Sequence, residues 1–129
     1  MDNGGGTSVP GNSFDGPVAG DIHAEQISRC FNAVYASGAP WDVKNAMGQL
    51  GTALQWLFPR LAEPERSLLA TCVEGLAEQV VRPKPIKEMA RFTAAGIMSV
   101  GNPVTELAVP VAQSVNAVLK ALKCGEVHL

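Results

Sequence analysis

The stretch "VKNAMGQLGTALQWLFPRL", residues 43–61, sets Val43, Met47, Leu50, Leu54, Leu57 and Leu61 at intervals of 4, 3, 4, 3 and 4. A chain that turns once every 3.6 residues carries all six on one face, a heptad-like seam built to pack on another helix. The pattern predicts a helix over residues 41–58, with Pro40 beside its first turn. Gly48 and Gly51 interrupt it, each lowering helix propensity by roughly 1 kcal/mol relative to Ala. They either admit a close helix crossing or are tolerated.

Similar stripes flank this one. Ahead of it, Asp21 is a plausible N-cap for a helix over 21–36, in which Ala24, Ile27, Phe31 and Val34 share a face. Ser37-Gly38-Ala39-Pro40 ends it. Behind it, a helix over 64–81 opens on proline and glutamate, both suited to a first turn, and aligns Leu69, Cys72, Val73, Leu76 and Val80. Arg82-Pro83-Lys84-Pro85 is a stiff break. A fourth helix over 85–100 should then face inward with Ile86, Met89, Thr93, Ile97 and Val100. Gly101-Asn102-Pro103 reads as a C-cap, an N-cap and a first helical residue. A fifth helix running to Lys123 aligns Leu107, Val111, Val115, Val118 and Leu122, with Pro110 expected to kink or split it.

The expected fold is therefore all-α: a bundle of about five helices over residues 21–124, preceded by a flexible leader over 1–20 and followed by a short tail over 125–129. The composition agrees. The chain has 129 residues, 47% hydrophobic but only 5% aromatic, which suits close-packed helices. A net charge of −2 argues against a dedicated nucleic-acid binder, which needs a concentrated basic surface. Cys30, Cys72 and Cys124 match no metal or redox spacing and read as reduced thiols. With no basic-then-apolar signal pattern at the start, the expected location is cytoplasmic.

Catalytic chemistry is hard to place. His23 and His128 stand at opposite ends without carboxylates or thiols at ligand spacing, so neither a metal nor any other cofactor is expected. Cys30 and Cys72 lie on apolar faces, where thiols are inert. Glu63, Glu65, Glu74 and Glu78 belong to a helix whose other face is apolar, and read as a solvated face. The early glycines precede no Lys-Ser/Thr pair. A small enzyme is the minority reading.

Residues 92–119 carry a single charge, Glu106, and follow Arg82, Lys84, Lys87 and Arg91. Basic residues ahead of an apolar run can mark a membrane-active segment. The run is broken by Gly101-Asn102-Pro103 and Pro110, and neither half reaches the roughly 20 apolar residues needed to span a bilayer. Soluble core is the favoured reading, and insertion after a triggered rearrangement the alternative.

The leader is unusual in a different way. Phe14, Val18 and Ile22 recur every fourth residue among Asn12, Gly16, Pro17 and Gly20, in a segment holding Asp2, Asp15 and Asp21 but no Lys or Arg. The pattern Asn12-Ser13-Phe14-Asp15-Gly16-Pro17-Val18-Ala19-Gly20-Asp21-Ile22-His23 resembles the short amyloid-signalling motifs of bacterial, especially actinobacterial, immune-type proteins. In that family the motif reads as Asn, an aromatic or Val, Gly-Pro-Val, a Gln-containing spacer, then Asp-Ile-His. This chain lacks the Gln, has a shorter spacer and places Asp15 within the motif. The resemblance implies a docking or oligomerisation tag that stacks in cross-β fashion, with Asn12, Phe14, Gly16, Pro17, Val18 and Ile22 as interaction residues.

The resulting expectation is a non-enzymatic helical adaptor or effector that works through a protein partner or self-association, in bacterial conflict signalling. The alternative is a membrane-perturbing effector that uses residues 92–119 and the basic residues before them. Apolar surface beyond what a small monomer easily hides makes a homo-oligomer an open expectation.

Overall fold

The computed structural model of the chain describes residues 21–125, and all five expected helices are present in it. They are α1 (Ile22–Ala36), α2 (Trp41–Leu57), α3 (Glu63–Val81), α4 (Lys87–Gly101) and α5 (Thr105–Ala121). A single 3-10 turn, Phe58–Arg60, joins α2 to α3, and no strand occurs among the described residues. The expected tail contributes only Gly125, and the motif positions Asn12, Phe14, Gly16, Pro17 and Val18 lie outside the described residues.

Asp21 performs the N-cap role expected of it. Its backbone is extended, and its Oδ1 accepts the N–H groups of His23 at 2.8 Å and Ala24 at 3.2 Å. Those are donors that the first helical turn cannot satisfy internally. Ser37 closes α1, its hydroxyl donating to the Val34 carbonyl at 2.6 Å. All six residues of the α2 seam are buried, Leu61 among them although it lies beyond the helix end. The seam is therefore spent inside the bundle and is not a surface for a second copy.

Within the bundle α1 packs on α3, α3 on α4, α4 on α5, and α5 on α2, with α1 touching α2 more lightly. The starts of α1 and α3 are neighbours: His23 Nε2 meets Glu63 Oε2 at 2.7 Å, and Arg66 donates to Asp21 Oδ2 at 3.2 Å. The Arg66 guanidinium also lies over the Phe58 ring, 4.8 Å from its centroid. Arg60 reaches Glu106 at the start of α5, so this leader end of the bundle is tied together by ion pairs. The opposite end gathers the end of α1, the start of α2, the α3–α4 connection and the end of α5.

Two helices depart from the sequence expectation. In α4 the buried face is Ala90, Thr93, Ala94, Ile97, Met98 and Val100, while Ile86 and Met89 are exposed. The cause is the closeness of α3. A Cβ on Gly75 would stand 2.6 Å from Thr93 Cγ2, and one on Gly96 would stand 2.5 Å from Cys72 Sγ. At that approach small residues occupy the crossing, and Met89 and Phe92 are left outward. α4 also begins at Lys87 rather than Pro85, with Ile86 as its N-cap residue.

In α5 the start is Thr105, with Val104 and not Asn102 at the N-cap position, so Pro103 is not a first helical residue. Gly101 is the last residue of α4, packed so that a Cβ would lie 3.2 Å from Val111 Cγ1. Asn102 instead caps α4, its N–H donating to the Met98 carbonyl at 2.9 Å. Pro110 does not split α5, which runs through it. The carbonyl that the proline leaves without a helical donor is that of Glu106, an exposed residue in the first turn of α5. Ser114 and Leu119 join Val111, Val115 and Val118 inside, while Leu107 and Leu122 are half-buried.

Candidate interaction surfaces

The connection between α3 and α4 is built from a buried side chain outward. Gln79, one of few buried polar residues, points its amide oxygen at the backbone N–H of Ile86 at 2.8 Å. That bond holds the proline-containing segment against the end of α3. Residues 81–84 and 86–89 are all exposed. Arg82, Lys84, Lys87 and Arg91 therefore stand on the surface, and the structure does bring them together at one corner. It adds large apolar side chains that the sequence reading had placed inside or left out: Val81, Ile86, Met89 and Phe92, the last 75% exposed.

The end of α5 lies beside this corner. Burial pushes the Cys124 thiol up, against the nearby positive charges of Lys87 and Arg91. Lys120 and Lys123 are exposed on the same end, and Lys44 sits in the first turns of α2. Seven of the chain's ten basic residues thus gather at the end opposite Asp21.

A second surface runs along α2. Both tryptophans of the chain lie on it, Trp41 76% and Trp56 66% exposed. Between them, open clefts of about 330 to 370 Å³ are lined by Asn45, Gln49 and Thr52 of α2, by Tyr35 of α1, and by Pro110 and Gln113 of α5. The Tyr35 hydroxyl has no hydrogen-bond partner among the described residues although it is shielded from solvent, and burial raises its pKa. Neither tryptophan falls in the seam's phase, which is the sequence signal that could have placed both outside.

The candidate chemical groups are dispersed. Burial raises the Cys30 thiol to about 11, helped by the Glu74 charge and opposed by Arg29. Cys72 is also raised by burial. Thiols held protonated in this way are poor nucleophiles. The glutamates of α3 point apart: Glu63 pairs with His23, and Glu74 accepts a hydrogen bond from Gln26 Nε2 at 3.0 Å. Among the described residues no group of three His, Cys, Asp or Glu side chains is placed to hold a metal ion. No helix among them is long and apolar enough to cross a membrane. Residues 92–119 instead supply α4 and α5 with much of the bundle's core. Ile22 is the one leader-motif interaction residue within the described structure, exposed as the first residue of α1.

No family model, curated protein or solved structure matches this chain.

Proposed function

We propose that this chain is a non-enzymatic helical interaction module, an adaptor or effector that is recruited through its N-terminal leader and meets its partner through the surface of α2. The observation that carries the reading is the exposure of both tryptophans on one helix. Tryptophan is costly to leave in water and is over-represented among the residues that dominate protein interfaces. Trp41 and Trp56 bracket a polar strip of Asn45, Gln49 and Thr52, an apolar–polar mix typical of surfaces that are buried only on association. The leader's resemblance to amyloid-signalling motifs supports the recruitment role and a setting in bacterial conflict signalling.

The test compares the full chain with a variant lacking residues 1–20. Among the described residues the buried core runs from Ala24 to Cys124, and the truncation leaves all of it in place. Light scattering should show assembly of the full chain and its loss on truncation, with helical circular dichroism unchanged. Equal assembly by both chains would sink the role given to the leader.

A further inference from the structure

We infer that the α3–α4 corner is a docking site for an anionic lipid surface, engaged by the folded bundle at its basic end. Between Val81 and Phe92 the chain presents Arg82, Lys84, Lys87 and Arg91 against a single acidic residue, Glu88. In the same segment Val81, Ile86, Met89 and Phe92 leave their apolar side chains in water. Met89 and Phe92 are three residues apart on α4 and so neighbour one another, while Lys87 and Arg91, four apart, flank them. Lys120 and Lys123 extend the positive charge across the adjacent end of α5.

Cationic groups alone would fit any polyanion. The apolar residues narrow the choice, because a lipid interface is the anionic surface that offers phosphates and hydrocarbon within a few ångströms of each other. A phosphate backbone gives Ile86, Met89 and Val81 nothing to enter. The corner is also exposed along residues 81–84 and 86–89, whereas the clefts that could clasp a peptide lie along α2. Gln79 braces the corner from beneath through its bond to Ile86, so the wedge is held ready and no helix has to leave the bundle. Each basic side chain near an anionic leaflet strengthens partitioning about fivefold, so four acting together suffice for reversible binding.

The experiment is co-sedimentation of the full chain with vesicles of phosphatidylcholine alone and of phosphatidylcholine mixed with phosphatidylglycerol. The chain should pellet with the mixed vesicles and not with the neutral ones, and high salt should release it. Replacing Arg82, Lys84, Lys87 and Arg91 together by Gln should weaken partitioning by about 600-fold. Arg82→Lys with Arg91→Lys should preserve it. Met89→Ser with Phe92→Ser should weaken it by about tenfold, with helical circular dichroism unchanged because both side chains are already exposed. Equal binding to neutral vesicles, no binding to either, or indifference to Met89 and Phe92 would each overturn the proposal. So would stronger binding of a duplex oligonucleotide, or of a free peptide of residues 1–20, at the same corner.

Discussion

Asp21 carries several duties for a single side chain. It caps α1, takes a hydrogen bond from Arg66 of α3, and stands where the leader joins the bundle. Burial works to raise its pKa, but the N–H groups of Ala24 and His23 and the positive charges of Arg66 and His23 outweigh that and hold it below its ordinary 3.8. A carboxylate lowered on folding stabilises the fold above its unfolded-state pKa and loses that contribution as pH falls through the folded value. Asp21→Ala should therefore cost about 1 kcal/mol at neutral pH, as lost N-caps do. Asp21→Asn, which still caps, should cost less. The gap between wild type and Asn should shrink as the pH drops below 3.8 and the carboxyl gains its proton. Thermal melts followed by circular dichroism across that range measure it, and a gap constant with pH would refute the role of the charge. This residue was legible beforehand because capping is local chemistry. Its partner Arg66 lies 45 positions away and left no mark on the local pattern.

At the scale of elements, α2 and α4 show what periodicity can and cannot tell. The α2 seam is made of large side chains, so hydrophobicity and burial coincide and all six positions were readable. In α4 the inward face is set by α3, whose Gly75 and Cys72 admit Thr93 and Gly96 at close range. Alanine and glycine carry little hydrophobic signal, so Ala90 and Ala94 went unread; Thr93, Ile97 and Val100 do face inward as expected, and only Ile86 and Met89 at the helix start fall outside. Gly75 and Gly96 mark a close crossing of α3 and α4. Gly96→Ala should then destabilise the protein despite better helix propensity. Overpacking costs roughly 1–3 kcal/mol, against a gain of about 1 kcal/mol from propensity. Cys72→Ala removes the sulfur that the new methyl would strike, so Gly96→Ala should cost much less on that background. A double-mutant cycle on melting temperatures tests this, and additive effects would show that the two residues do not govern the crossing.

Across the whole molecule, polarity is the property least visible in the linear sequence. A net charge of −2 conceals a bundle in which seven of ten basic residues gather at one end, opposite Asp21, to which the acidic leader, free of Lys and Arg, is joined. The two tryptophans mark the two ends of α2, Trp41 toward the basic end and Trp56 toward the other, so three modes of association can be told apart by what each leaves in water. In the chain without residues 1–20, acrylamide should quench both Trp41 and Trp56, and emission should move little on unfolding, because both indoles are exposed in the folded state. Assembly driven by the leader alone should leave that quenching unchanged in the full-length oligomer. Assembly or partner binding through α2 should protect both residues and shift their emission to shorter wavelength. Docking of the α3–α4 corner on lipid should spare Trp56, which lies near the start of α5 and away from the basic end. Trp41→Phe and Trp56→Phe variants assign the signal to one residue or the other. Protection of neither tryptophan in any bound state would remove the α2 surface from the proposed function and leave the leader and the basic corner as the working parts of the chain.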